Sequence, residues 1–143
     1  MPVPAEYQRI YDHLYDFFKD VRDIAGIETT HRAYTTIQGV FQTFRRRLEI
    51  KEAISFSNIL PAGIRALFVA EWDTNEPKLP FSSRREMTLE VQSLRKEHNF
   101  APDSAISDVG RALRKNVDNQ LLDEVLDRLS ADARNFWNPE YAD

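Results

Sequence analysis

His13, His31 and His98 are the residues of this chain most able to bind a metal, and their spacing argues against it. A metal-binding helix presents two ligands at i, i+3 or i+4, usually beside a carboxylate, and no two of these histidines stand one turn apart. His13 falls off the apolar stripe of its segment, and His31 and His98 sit near a helix start and a helix end. Nucleophilic chemistry is equally unsupported. The chain has no cysteine, no G-x-S-x-G elbow and no glycine-rich phosphate loop, since Gly26, Gly39, Gly63 and Gly110 are isolated. Asp12/Asp16 and Asp16/Asp20 have a spacing that could hold a cation, but a solvated acidic face is the simpler reading. The expectation is a chain without catalytic residues, cofactor or metal; an enzyme lacking all the usual signatures is the alternative.

The sharpest charge feature is Arg45-Arg46-Arg47, with Lys51 one turn on. Three successive helical residues spread over about 200°, so these cations cannot all face one groove. Cations at a helix C-terminus favour its dipole by roughly 0.3–1 kcal/mol each. Arg45 also has a counterpart in Arg114, as Arg65 has in Arg134, which points to bracing within the fold. Nucleic-acid binding through Arg45–Lys51 is the competing reading; it needs more cations on one face and aromatic platforms between them. A second candidate surface is the stretch carrying Trp72, Pro77, Leu79, Pro80 and Phe81. Exposed, it would anchor a partner, because aromatics dominate binding hot spots. Folded down, Trp72 and Phe81 would seal a seam in the core, and this reading is preferred. The candidate interaction residues are therefore Trp72, Phe81, Arg45, Arg46 and Arg47.

These residues must be positioned by a chain of 143 residues with net charge −4. That length suffices for one domain with a sizeable core. Residues 1–100 hold 14 acidic and 14 basic side chains and residues 101–143 hold nine and five, so the imbalance lies at the C-terminal end. A modestly acidic chain has no overall attraction to polyanions. No apolar run of membrane-spanning length occurs, and the start lacks the basic and apolar regions of a signal peptide. With no cysteine, a cytoplasmic location is expected.

Helical spacing dominates throughout. Tyr7, Ile10, Tyr11, Leu14, Phe17, Phe18, Val21 and Ile24 make one apolar stripe, stopped by Gly26 in the left-handed C′ position with Ile27 folding back. Asn99 followed by Phe100 repeats that punctuation after Met87, Val91 and Leu94. A second helix is expected over Thr30–Leu48, a third around Glu52–Ile59, and a fourth with Pro61 as its first residue. Sliding the sequence by 69 positions lays Ile37–Phe68 over Ile106–Trp137 without a gap. Identities fall at Ile37/Ile106, Val40/Val109, Arg45/Arg114, Leu60/Leu129, Ala62/Ala131 and Arg65/Arg134, and the apolar phase coincides elsewhere. Asp118 and Ser130 suit the N-caps of the copied third and fourth helices, and Ser83 with Glu86 forms a capping box for the fifth. The expected fold is all-α, a single domain over 1–143. About eight helices fall in two similar four-helix halves, near 5–72 and 83–141, joined by a linker at 73–82.

The order Ala25-Gly26-Ile27, Val40, Arg45, Leu48, Leu60-Pro61, Ile64-Arg65-Ala66-Leu67, Trp72, Pro77 and Ser83–Glu86 leading to Val91 resembles the bacterial domain of unknown function 2267 family. The likeness runs from about Tyr7 to Trp137 and implies an all-helical fold of two similar halves. It implies no catalytic residue. This chain departs from the family pattern at Phe81 and Arg84-Arg85. The functional expectation is a non-catalytic module for protein interaction or self-association, its partner another protein or a second copy. Nucleic-acid binding, or small-molecule sensing at the seam between halves, are the alternatives.

Overall fold

The computed structural model describes residues 3–94 and 101–142, and all of its regular structure among these is helical. The first apolar stripe is divided by Arg9 into a single turn, α1 (Ala5–Gln8), and α2 (Ile10–Ala25). This division makes nine helices among the described residues where about eight were expected. Phe17 and Val21 are fully buried on α2, with Leu14, Phe18 and Ile24 packed beside them. Tyr7 and Tyr11, expected inward, instead point outward, Tyr11 with 74% of its surface exposed. The ladder at i, i+4 explains the difference. Tyr11 and Tyr15 stack on each other at 6.1 Å with their planes 10° apart, satisfying their apolar faces while their hydroxyls stay in water.

Gly26 ends α2 at φ 70°, and the amides of Gly26 and Ile27 both donate to the Arg22 carbonyl. Thr29 then caps α3 (Thr30–Arg45) by accepting the Arg32 amide. Helix α4 (Ile50–Ser57) opens on a capping box of Glu49 and Glu52, slightly earlier than the sequence suggested. Helix α5 (Ala62–Val69) follows Pro61, whose ψ of 150° makes it the N-cap rather than the first helical residue. Ser83 caps α6 (Arg84–Ser93) by accepting the Glu86 amide. The expected stop at Asn99 and Phe100, and His98 with it, lies outside the described residues. Helices α7 (Ala105–Asn116), α8 (Asn119–Leu129) and α9 (Ala131–Phe136) complete the chain. Asp118 and Ser130 cap the last two as the sequence indicates.

Helix α3 is the centre. It buries Ala33, Ile37, Val40, Phe41 and Phe44, and even Thr36, Gln38 and Thr43 are covered. Phe44 lies 4.9 Å from both Phe56 and Phe136 and 5.3 Å from Trp137, centroid to centroid, and Phe56 lies 5.0 Å from Phe68. Helices before and after the linker therefore share one aromatic core. Their pairing is also reciprocal: α2 packs on α7, and α6 packs on α3. Helices α4 and α5 begin at residues 50 and 62, and α8 and α9 at 119 and 131, the 69-position offset of the sequence match.

Two helical glycines separate close packing from ordinary packing. A Cβ on Gly39 would lie 2.9 Å from both Cγ1 and the carbonyl oxygen of Val91, so α3 and α6 cross backbone to side chain there. A Cβ on Gly110 would meet nothing nearer than 3.8 Å. Urea unfolding of Gly39→Ala should show a loss of about 1–3 kcal/mol, the usual cost of overpacking. Gly110→Ala should gain up to about 1 kcal/mol from helix propensity. Equal effects at both sites would contradict this account of the α3–α6 crossing.

Candidate binding site at the arginine cluster

The three arginines sit where α3 ends and the linker crosses it, held by a bond from the Leu79 amide to the Arg46 carbonyl. They do three different jobs. Arg47 is buried: its Nε donates to the Pro80 carbonyl, its Nη1 to the Thr43 carbonyl, and Nη1 and Nη2 grip both oxygens of Glu90 at 3.0 Å. One guanidinium thus ties α3, the linker and α6 together. Arg46 is partly exposed and spans Glu76 at 3.3 Å and Glu90 at 3.4 Å. Arg45 is 4% exposed, and its Nη1 donates to the carbonyls of Phe68 and Ala70, both at 2.8 Å.

The electrostatics follow from this arrangement. Burial alone would raise the Glu90 pKa, but the hydrogen bonds and charge of Arg47, with Arg46 behind, outweigh it and hold the carboxyl below its ordinary value. For Arg45, burial and then the Arg46 charge lower the pKa from its ordinary value, while Glu76 and Glu71 act the other way. Arginine stays charged regardless. The Arg45 guanidinium is unusual in its company. No carboxylate among the described residues reaches ion-pair distance, and no protein acceptor claims its Nε or Nη2. Its partial compensation is the Trp72 ring, 5.4 Å away. Glu71 brings that ring into place by adopting φ 55° just after α5, a left-handed turn that glycine would adopt more readily.

Beside Arg45 an open cleft of about 440 Å³ lies between α4 and the linker. Arg46, Lys51 and Lys78 line it with Arg45, against the carboxylates of Glu49 and Glu76, and Leu48, Ile50, Trp72 and Pro77 supply apolar wall. Trp72 and Phe81, the other candidates from sequence, are both half-buried against the core; Phe81 lies 6.2 Å from Phe44. The structure thus brings Arg45, Arg46, Lys51 and Trp72 together. Arg47 is turned into the core, and Phe81 seals the linker. Lys51 is exposed and pairs loosely with Glu49 at 3.7 Å.

Glu90 was not singled out from sequence, because its partner lies 43 residues away and no local pattern joins them. Arg65 and Arg134, expected to brace their halves, each bond within their own half but to different partners. Arg65 donates to the carbonyls of Ser57 and Leu60, clasping the end of α4, whereas Arg134 pairs with Asp127 on the exposed surface. No cluster of three metal-ligating side chains occurs among the described residues, and no helix there is long and apolar enough to cross a membrane.

Fold and site define an all-helical protein with a partly cationic surface cleft. The chain belongs to the uncharacterised conserved protein family DUF2267, whose sequence model matches residues 15–136. No curated protein matches the chain.

Glu90→Gln should destabilise by about 3 kcal/mol at neutral pH, since it leaves the buried Arg47 without its counter-charge. A carboxyl whose folded pKa is lowered stabilises the fold above its unfolded value, near 4.5, and loses that contribution as pH falls through the folded value. Urea midpoints of wild type and Glu90→Gln should therefore converge in acid. A gap constant with pH would exclude the ion pair as its source.

Proposed function

We propose that this bacterial family member is a non-catalytic binding protein whose Arg45 cleft receives an anion. The observation that carries the reading is a buried guanidinium with two nitrogens unclaimed by protein, lining an open cleft. Buried charges in folded proteins are ordinarily paired, and leaving one without a counter-charge is costly. A bound anion supplies that counter-charge and gains charge-assisted hydrogen bonds from the nitrogens that line the cleft. Four lining cations against two carboxylates give the cleft the matching sign. The buried positions of Arg45 and Arg47 give little support to nucleic-acid binding, because they break the basic run that such a surface would use.

Thermal unfolding and calorimetry with a panel of anions at fixed ionic strength test this reading. A ligand bound only by the folded state at a hundredfold its Kd adds about 2.7 kcal/mol. At least one anion should raise the midpoint, and Lys78→Glu, a change at an exposed rim position, should weaken its binding several-fold. A panel with no effect, or an unaltered affinity in Lys78→Glu, would overturn the anion assignment.

A second reading, interaction with a protein partner, draws on Tyr7, Tyr11 and Tyr15, which share one exposed face of α1–α2 beside Asp12 and Asp16. Lys19 already lies 6.0 Å from the Tyr15 ring, so the face suits a partner segment rich in lysine or arginine. Tyr11→Ala with Tyr15→Ala should leave urea unfolding unchanged while abolishing binding of a lysine-rich peptide. Retained binding would remove this face from consideration.

A further inference from the structure

The two arginines that stand 69 positions apart identify what the cleft lacks. Arg45 donates through Nη1 to the Phe68 carbonyl and Arg114 through Nε to the Trp137 carbonyl, so the donor nitrogens differ while the acceptors are themselves 69 positions apart. Beyond those matched acceptors the two sites diverge. Arg114 sends Nη1 to the Asn119 carboxamide oxygen at 3.2 Å and to the Asp123 carboxylate at 3.1 Å, so the protein supplies its counter-charge. Sixty-nine positions before Asn119 and Asp123 stand Ile50 and Ile54, of which Ile50 lines the cleft with Arg45. Neither can accept a hydrogen bond. Both are on α4, one turn apart, and are 49% and 51% exposed. Where Arg114 has an amide and a carboxylate, Arg45 has two half-exposed isoleucines, Ile50 in the cleft wall and Ile54 on the same helical face.

From this contrast, and resting on the anion reading above, we infer that the cleft takes a small carboxylic acid with an apolar body. The carboxylate supplies Arg45 with the counter-charge that Asp123 supplies to Arg114, but on the Nε and Nη2 edge rather than on Nη1, and the hydrocarbon lies along Leu48, Ile50, Pro77 and Trp72. Three features favour this class. The unclaimed Nε and Nη2 form one edge of the planar guanidinium, the edge whose parallel N–H bonds match both oxygens of a carboxylate. The Glu49 and Glu76 carboxylates on the wall disfavour a dianion such as phosphate more than they disfavour a monoanion. The volume, about 440 Å³, falls within the range of small-molecule pockets, and isoleucine, proline and tryptophan offer an acid of several carbons a surface to cover.

Calorimetry on the full chain with octanoate, phenylacetate, acetate, 2-phenylethanol and inorganic phosphate tests the assignment. Octanoate and phenylacetate should bind once per chain, at least about tenfold more tightly than acetate, since each buried methylene contributes roughly 0.8 kcal/mol. The neutral alcohol and phosphate should not bind measurably. The double variant Ile50→Asn/Ile54→Asp gives Arg45 the two groups that Arg114 has. It should unfold at the same temperature or higher while losing about tenfold or more in affinity for both acids, as expected for an occupied counter-charge site. Phosphate binding without either apolar acid would overturn the carboxylate class and leave the anion site standing. No binding by any anion would remove both. Full affinity in the double variant would place the ligand away from Arg45. The wild-type panel decides between these outcomes even if the variant fails to fold.

Discussion

A helix buried on nearly every side is the constraint around which this protein is built. Helix α3 can exist only if the rest of the chain wraps it, because its apolar residues leave little face for water. Phe44 states the requirement in one residue, touching rings from α4, the linker and α9 together. The same burial creates the polar problem at its end. Arg45 and Arg47 are almost fully covered, so most of their contact must be with the protein rather than with water. Arg47 is met on all three nitrogens, by two carbonyls and Glu90. Arg45 is met on one nitrogen only. The difference between a brace and a candidate site is therefore a difference in how many donors the fold satisfies.

The features legible in the sequence were those set by neighbouring residues. Capping by Ser83, Asp118 and Ser130 depends on a side chain reaching an amide two or three residues ahead, and Gly26 depends on its own backbone. The apolar phase located the buried faces of α3, α4 and α7 because helical period and burial are linked. Tyr7 and Tyr11 misled because tyrosine counts as apolar in a stripe yet carries a hydroxyl best left in water. Pro61 fell one place outside its helix, where ψ rather than φ decides, and proline fixes only φ.

The candidate site was half legible. Its cations were conspicuous as a run, and the repeat marked Arg45 as structural. Which of them faced inward depended on Glu90 and on the linker, both far away in sequence. The informative signal lay in the offset match itself, at positions where it fails. Ile50 against Asn119 and Ile54 against Asp123 are the mismatches beside the most regular polar identity. A repeat reveals architecture where its copies agree. Where the two stretches disagree around a matched arginine, the difference lies in whether the chain itself supplies the counter-charge.

The reciprocal packing of α2 on α7 and α6 on α3 has a consequence for shorter chains. A polypeptide ending just after Trp72 would keep α2 and α3 but leave bare the faces that α7 and α6 now cover. Those apolar faces would then lie open to water, so half of this protein lacks the cover that the other half provides. By the same logic, two full-length chains could exchange their C-terminal portions and preserve every helix pairing, a domain swap limited only by the connector. Pro77 and Pro80 stiffen that connector, the Leu79 amide pins it to the end of α3, and Arg47 grips its Pro80 carbonyl. The strap that shapes the cleft is thereby also the segment that such an exchange would have to pull free.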